Sequence, residues 1–438
     1  MLRLTGILLG LCALASSASA APLFDKPFTI DKPASEVAAT IRASCARCDW
    51  GAEGREAAAV RILLDGKYSQ HLLLYRGADE SEYRVALGTL GAGRHTLRID
   101  PDAALSAAGA GPPVIYTVNI SPVSGSDEER LQQAFAPVLY ARPNTVGRFT
   151  DLPVLMWVES TRTPRGRQLR YSVIFTNEDG GTATDRLMAT WGRTTDIEYV
   201  YGVEVDDRGK TVAEEFQGPG HEVPAFRGRH DGTHPLLWVS TDNNMVSESG
   251  PTEIRYAPAP QPFDLTNVSR EEIMDRNPWT YTIAAKEMTR EKKIAPDAAA
   301  GSGLIPDLRR FVYVEGCSDL TNAAIAFAVR AFDASGAARW FESDRGLPAF
   351  RIVRTGCFRG AIPLPPDAGP PDAIRFRAYT VPSRPNAPPV PPGSVQLLRV
   401  NRVFIVDDRY QPLPSLFSWS GTQPLVLDGE AREFDFGK

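Results

Sequence analysis

Glycine and proline punctuate the whole chain, with 36 of each among 438 residues. Both interrupt regular elements, glycine through its conformational freedom and proline because it lacks an amide hydrogen. Turn residues at this density favour many short strands over long helices. The run WGRTTDIEYVYGVEV, residues 191–205, is rich in tyrosine and valine and free of proline, which is typical of a strand. The sequence therefore predicts a mostly β fold.

The first twenty residues have the composition of an export signal. Arg3 supplies a positive charge, ILLGLCALA an apolar core, and SASA a small-residue cleavage site near Ala20 or Ala21. The apolar run is too short to span a bilayer, and no later segment is apolar enough to do so. We therefore expect residues 1–20 to be a cleaved signal peptide. The mature protein is expected to be periplasmic or extracellular, without a transmembrane segment.

The overall composition is that of an ordinary folded protein, with 23% charged and 43% hydrophobic residues. The formal net charge is -5, and charges of both signs are interspersed. A protein that follows the phosphates of a nucleic acid would be basic. Nucleic acid is therefore not an expected partner, and the oligomeric state is left open.

Boundaries divide the rest of the chain into three parts. Residues 21–122 contain five strand-like runs separated by Gly- and Asp-bearing turns, a spacing typical of an immunoglobulin-like β-sandwich. A larger central β-sandwich is expected over 127–300, and APDAAAGSG separates it from a β-rich domain over 303–438. The predicted fold class is mostly β and multidomain. Immunoglobulin-like β-sandwich modules flank a larger central β-sandwich with a few helices.

A few segments carry helix signals. Ser126 with Glu129 forms a capping-box pattern at the start of the central domain, and Ser269 with Glu272 repeats it near the end. YTIAAKEMTREKK then predicts a helix with a solvated charged face. SEVAATIRA, residues 35–43, predicts a further helix in the first domain.

Four cysteines follow the signal peptide, and an even number in an exported chain indicates disulfides. Cys317 and Cys357 each end a strand-like run after a glycine, so we predict that they pair. Cys45 and Cys48 form CARC, where a redox motif would need a helix that begins at the first cysteine. Because the predicted helix precedes this motif, a local structural disulfide is favoured over a redox role. Zinc would need a second cysteine pair at similar spacing, and the sequence has none.

Two carboxylates share one face of the strand predicted over 191–205. Asp196 and Glu198 alternate with Ile197 and Tyr199, and alternate residues of a strand point the same way. Adjacent carboxylates repel one another unless a cation or a shared proton offsets the charge, which suits Mg²⁺ or Ca²⁺. An added imidazole would move the preference toward Mn²⁺ or Zn²⁺. The same pair could also serve as acid and base.

The alternative is an ordinary solvated face of an antiparallel sheet. In that case Arg186 or Arg193 could neutralise the two carboxylates. Glu204 lies beside the hairpin turn predicted from VDDRGKTV and is expected to be solvated.

Three of the five histidines lie close together in GHEVPAFRGRHDGTHP. His221, His230 and His234 are therefore candidate ligand-binding residues near the carboxylate pair, or acids and bases in a reaction. Familiar catalytic signatures are absent from the sequence: there is no Gly-x-Ser-x-Gly elbow, no phosphate-binding glycine loop with lysine, and no His-Glu-x-x-His helix.

Four segments in the central domain occur in an order that resembles a known superfamily: QAFAPVLYARP, LRYSVIFTNEDGG, WGRTTDIEYVYGVEV and HPLLWVSTDNN. This superfamily contains the secreted necrosis- and ethylene-inducing cytolysins and vacuolar protein sorting-associated domains of unknown function. The cytolysins are β-sandwiches. Their Gly-His-Arg-His-Asp-Trp-Glu motif helps to bind a divalent cation at a surface that recognises glycosphingolipids.

The resemblance carries that motif onto particular residues here. Gly192, Asp196 and Glu198 match it, Arg193 and Thr195 stand at its histidine positions, and Ile197 replaces its tryptophan. The resemblance implies that Asp196 and Glu198 are the carboxylates on the cation side. Asp185 is an upstream acidic partner by spacing.

Three functional hypotheses follow. The first is an exported binding protein whose central domain holds a divalent cation (Mg²⁺, Ca²⁺ or Mn²⁺) and recognises a surface glycan or a lipid headgroup. The second is a metal-dependent hydrolase that uses the same carboxylates with the clustered histidines. The third is a structural envelope protein without a site.

Overall fold

The protein is described by a computed structural model that covers residues 21–143, 145, 149–178, 180–333, 335–381 and 393–437. The signal peptide predicted over residues 1–20 lies outside the described residues. Strands dominate the described part of the chain and helices are short, so the predicted mostly β, multidomain fold class is confirmed. Within the same residues, no helix has the length and apolar character needed to cross a membrane.

The N-terminal part is a β-sandwich. Its strands are β1 (Phe24–Ile30), β2 (Ala34–Cys45), β3 (Ala59–Leu64), β4 (Lys67–Leu73), β5 (Ser81–Leu90), β6 (Gly93–Asp102) and β7 (Pro113–Pro122). One sheet has the order β1-β6-β3-β4 and the other β5-β2-β7. Trp50, Val60 and Ile99 are completely buried in the core of this part.

Strand β2 contains residues 35–43, so the helix predicted there is wrong. Strand β2 is the central strand of its sheet and pairs with β5 on one side and β7 on the other. An alanine-rich composition favours a helix in isolation, but this pairing overrides that preference. Val37, Ala39, Ile41 and Ala43 are all buried, which is the period of two expected for a strand.

The central part is a second β-sandwich, which carries the α-helices. Its elements are α1 (Asp127–Ala134), β8 (Val138–Tyr140), β9 (Pro153–Thr163), β10 (Gly166–Phe175), α2 (Thr184–Trp191), β11 (Asp196–Val205), β12 (Thr211–Phe216), β13 (His230–Asp231), β14 (His234–Val239), β15 (Val246–Ser247), β16 (Arg255–Tyr256), β17 (Gln261–Pro262), α3 (Glu272–Arg276) and α4 (Trp279–Arg290). One sheet has the order β12-β11-β10-β9-β17 and the other β13-β14-β8-β16, with β15 paired to β14.

Of the two predicted capping boxes, the first is confirmed. Ser126 accepts a hydrogen bond from the Glu129 N–H, and the Glu129 carboxylate accepts one from the Ser126 N–H. The second is wrong, because Ser269 instead donates its N–H and its hydroxyl to Glu315 of the C-terminal part. Helix α3 begins at Glu272 without a side-chain cap.

Helix α4 forms where YTIAAKEMTREKK predicts it, but its charged stretch is not fully solvated. Glu287 is completely buried and accepts a hydrogen bond of 3.0 Å from the indole N–H of Trp50. Arg290 pairs with the same carboxylate at 2.9 Å. Tyr281 and Met288 belong to the hydrophobic cluster that contains the N-terminal core. The helix is therefore packed against the N-terminal sandwich.

The C-terminal part is a third sandwich, built from two four-stranded sheets. Its strands are β18 (Phe311–Thr321), β19 (Ala323–Phe332), β20 (Ala338–Glu342), β21 (Gly356–Pro363), β22 (Ala373–Thr380), β23 (Ser394–Phe404), β24 (Phe417–Leu425) and β25 (Asp428–Asp435). The sheet orders are β21-β18-β23-β24 and β20-β19-β22-β25. Two 3₁₀ turns, Leu308–Arg310 and Pro348–Phe350, precede β18 and β21.

Both predicted disulfides are present. Cys45 at the end of β2 is bonded to Cys48. Cys317 of β18 is bonded to Cys357 of β21, directly opposite it in the antiparallel register.

Candidate functional site

A β-bulge in β11 decides which way its carboxylates point. Tyr201 and Tyr199 pair with consecutive residues of β10, so Val200 is the inserted residue. Because of the inserted residue, even-numbered positions face the core before the bulge and odd-numbered positions face it after the bulge. Val200 and Tyr201 both lie in the core of the central sandwich. Asp196 and Glu198, which precede the bulge on the same side as Val200, therefore point into the sandwich.

The interpretation of this face as solvated is wrong. Every residue of β11 is buried, with Asp196 1% exposed and Glu198 7% exposed. Glu204, after the bulge, is also covered: its carboxylate accepts a hydrogen bond of 2.7 Å from the Thr163 hydroxyl and contacts Arg165. The strand carries buried carboxylates, which need partners inside the protein.

Asp196 has two polar partners. The side-chain N–H of Asn244 donates to its Oδ2 at 3.0 Å, and the guanidinium of Arg193 lies 3.8 Å from its Oδ1. Among the described residues, Oδ1 accepts no hydrogen bond. Burial raises the pKa of Asp196, and the attraction of Arg193 and the Asn244 hydrogen bond offset only part of this effect.

Two further carboxylates share this environment, and we call Glu178, Asp196 and Glu198 the acidic cluster. Burial and then repulsion by Asp196 raise the pKa of Glu198 to about 8. The same two causes raise the pKa of Glu178 to about 7. The side-chain amide of Gln217 donates to Glu198 at 2.8 Å. These pKa values favour the protonated form of Glu198, and in part that of Glu178, near neutral pH.

The structure brings one of the three candidate histidines near this cluster. Gln217, which binds Glu198, also lies 3.3 Å from Nδ1 of His221. His221 is exposed and has a left-handed backbone, with φ of 62°. Perturbed carboxylates beside an exposed imidazole are typical of functional sites.

The other predicted site residues lie elsewhere. His230 is within 2.7 Å of Glu214. His234 is buried between the Ala136 carbonyl and Glu36 and lines a separate cavity of about 320 Å³. Asp185 lies in the first turn of α2 and accepts a hydrogen bond of 2.7 Å from the Gly301 N–H.

A divalent cation has no preformed set of ligands here. In the ranges that the structure describes, no three histidine, cysteine or carboxylate side chains are placed to hold a metal ion. The groups facing Asp196 are the side-chain N–H of Asn244 and the guanidinium of Arg193, which are hydrogen-bond donors and not metal ligands. The present arrangement does not fit a metal, and a cation at Asp196 and Glu198 stays a prediction from the sequence.

A cleft of about 390 Å³ lies between the N-terminal and central sandwiches, and we call it the interdomain cleft. Its volume is in the usual range for small-molecule sites. One wall comes from residues 70–73, 75–76 and 82–85, and the other from 152–156, 256–259 and Gln261. Trp279, the first residue of α4, completes the lining.

Aromatic side chains cluster in this cleft. The guanidinium of Arg76 lies 5.2 Å from the ring centre of half-buried Trp279, and Tyr75 lies 5.7 Å from the same ring. Tyr83 packs edge-on against Tyr75 at 5.4 Å. The indole N–H of Trp279 forms no hydrogen bond with any described residue, and it is not sealed from solvent.

Polar side chains accompany the aromatic ones. Gln261 and Asn277 exchange amide hydrogen bonds of 3.2 and 3.3 Å. Glu82 and Arg84 line the cleft and are exposed, and neither side chain forms an ion pair among the described residues. The cleft therefore offers an indole, amides, a carboxylate and guanidinium groups within one cavity. Sequence reasoning did not identify any of these residues.

Comparison with known proteins gives no family. No protein-family model matches the chain, and no curated protein shows significant similarity. The C-terminal domain of EclA, described as a sugar-binding protein, is 19% identical over 24% of this chain and 69% of its own, with a TM-score of 0.19. A GH26-CBM35 beta-(1,4)-mannanase of Podospora anserina is 12% identical over 30% of this chain and 33% of its own, with a TM-score of 0.17. Both TM-scores are too low to assign a fold or a ligand.

Proposed function

We propose that the protein is an exported carbohydrate-binding protein whose ligand occupies the interdomain cleft beside Trp279. The observation that carries this proposal is the combination, in one cavity, of an indole with a free N–H and several polar side chains. Sugars present apolar C–H faces that pack on aromatic rings, and hydroxyl groups that both donate and accept hydrogen bonds. Amides, carboxylates and guanidinium groups supply the complementary donors and acceptors.

Binding is favoured over hydrolysis by the distribution of carboxylates. Glycoside hydrolysis uses a pair of Asp or Glu residues that flank the scissile bond. Among the described residues that line the interdomain cleft, Glu82 is the only carboxylate. Asp196 and Glu198 do not line it, and both are buried in the central sandwich. This arrangement supports a ligand that is held and not cleaved.

The cleft also favours a ligand over a purely structural role. A cavity of about 390 Å³ that is lined by an indole and several polar side chains is typical of a ligand site. The disulfides at Cys45–Cys48 and Cys317–Cys357 suit an oxidising compartment, which supports the exported location. A lipid headgroup is the alternative ligand, and the experiment below separates it from a glycan.

Affinity electrophoresis in native gels that contain single polysaccharides, neutral or acidic, tests the proposal. We expect at least one polysaccharide to retard the wild type, and Trp279→Ala to remove the retardation. Trp340→Ala is the matched control, because Trp340 is also half-buried and faced by arginines but lies in the C-terminal sandwich. Retardation that survives in Trp279→Ala would contradict the proposal. So would binding to phospholipid vesicles in the absence of any glycan binding.

A further inference from the structure

Three arginines surround Trp191, where α2 ends beside the C-terminal sandwich. The guanidinium carbons of Arg354, Arg270 and Arg193 lie 3.5, 4.8 and 5.5 Å from the centre of the Trp191 ring. We call these three residues the arginine cluster. The cluster does not line the interdomain cleft, so its role is independent of the proposed function.

The carboxylates near the arginine cluster are distributed unevenly among its three members. Glu271, only 1% exposed, lies 3.4 Å from Arg193 and 3.7 Å from Arg270. Arg193 also lies 3.8 Å from Asp196. Glu198 also attracts Arg270 and Arg193, so the nearby carboxylates are concentrated on these two arginines. Among the described residues, Arg354 forms no ion pair.

Most N–H groups of Arg354 have no acceptor among the described residues. Arg354 donates one hydrogen bond, of 2.7 Å, to the carbonyl of Thr190 in the last turn of α2. This contact caps the helix, as arginines near a C-terminus do. A guanidinium has five N–H groups in a planar fork, so helix capping uses only one of the donors of Arg354.

Arg354 lies close to two other positive charges. Burial lowers the pKa of Arg354 to about 9; attraction to Glu271 opposes this effect, and repulsion by Arg270 and Arg193 adds to it. A partly buried charge gains stability from a partner of opposite charge. An oxyanion would supply both the charge and the acceptors that the fork geometry suits.

The arginine cluster is accessible from solvent on one side. The side chain of Arg270 is 29% exposed, and Trp191 and Arg354 are each half-buried. Val353, next to Arg354 in the chain, is 63% exposed. We propose that Arg270 and Arg354, with Arg193 behind them, bind an oxyanion of the sulfate or phosphate type beside Trp191.

Isothermal titration of the full chain with sodium sulfate, against sodium chloride at equal ionic strength, tests this site. We expect saturable sulfate binding by the wild type. Arg354→Gln and Arg270→Gln should each weaken it about tenfold or more, because each removes charge-assisted hydrogen bonds. Arg330→Gln is the matched control: Arg330 also faces a tryptophan, but Asp372 already neutralises it, so this variant should bind sulfate like the wild type.

Arg354 also caps α2, and a melting curve in chloride shows whether its variant is folded. If it is not, Arg270→Gln still reports on binding. A titration with glucose 6-sulfate distinguishes a site for a sugar-borne anion from a site for a free ion. In the first case glucose 6-sulfate should bind at least as tightly as sulfate. In the second case it should bind more weakly than sulfate. Either result supports the site. Absence of saturable sulfate binding, or equal binding by Arg270→Gln, would overturn it.

Discussion

Arg359 of β21 and Asp275 of α3 form an ion pair of 2.6 Å that joins the C-terminal and central parts of the chain. The side chain of Arg359 is completely buried. A second carboxylate, Glu315 of β18, lies 2.5 Å from the same nitrogen, and the hydroxyl of Tyr281 in α4 accepts a further hydrogen bond. Every nitrogen of this guanidinium therefore meets an acceptor, and the two parts share one polar core.

Removal of Arg359 should strongly destabilise the protein. Arg359→Met leaves Glu315 buried without its cation, and breaking a buried ion pair from one side costs about 3–5 kcal/mol. Urea unfolding followed by tryptophan fluorescence measures the loss in the first transition. Arg330→Met removes the partly exposed pair with Asp372 and should cost about 1 kcal/mol or less. Equal losses for the two variants would contradict the shared polar core.

Stability should fall as the pH rises through neutrality, because of the acidic cluster. Folding raises the pKa of Glu198 from its ordinary 4.5 to about 8 and that of Glu178 to about 7. Between about pH 4.5 and pH 8 the folded state keeps protons that the unfolded state has lost. The stabilisation is therefore complete below about pH 4.5 and is lost as the pH approaches 8. Glu287, whose pKa burial raises to about 7, adds to the slope.

Urea midpoints at several pH values between 5 and 8 measure this slope. Glu198→Gln should make it shallower, since an amide cannot take up or release the proton. Glu204→Gln is the control on the same strand: the pKa of Glu204 is lowered by its hydrogen bond with Thr163 and its contact with Arg165, so its titration ends below this window. A slope unchanged in Glu198→Gln would be evidence against a protonated cluster.

Divalent cations should stabilise the wild type no more than a variant without the carboxylate pair. Asn244 already donates a hydrogen bond to Asp196, and Arg193 lies close to the same carboxylate. A cation would have to displace both groups. Thermal melts with Mg²⁺, Ca²⁺ and Mn²⁺ compare the wild type with Asp196→Asn/Glu198→Gln. A rise in the melting temperature confined to the wild type would instead establish the cation predicted from the sequence.

Local patterns predicted much of the fold. The dense turn residues predicted the many-stranded architecture, and the Ser126 capping box predicted the start of α1. The positions of the cysteines, at two strand ends and in CARC, predicted both disulfides. The predictions were wrong where a contact with residues distant in the chain replaced a contact within the local segment. Residues 35–43 are alanine-rich but lie between two strands, and Ser269 turns from its own helix to Glu315.

The candidate sites were harder to predict than the fold. The bulge at Val200 turns Asp196 and Glu198 inward, and no residue type marks such an insertion. The interdomain cleft is assembled from segments that are far apart in the chain, from residue 70 to Trp279. The sequence of each segment indicates only a strand or a helix. The tertiary fold is needed to show that these segments line one cavity.

The most direct test of carbohydrate binding in the interdomain cleft is calorimetric. An oligosaccharide prepared from a polysaccharide that retards the protein is titrated into the wild type and into Trp279→Ala. We predict one site per chain in the wild type and an affinity at least about tenfold lower in the variant, as for a buried aromatic contact. Equal affinity in the two proteins, or no heat of binding in the wild type, would contradict the assignment of the cleft.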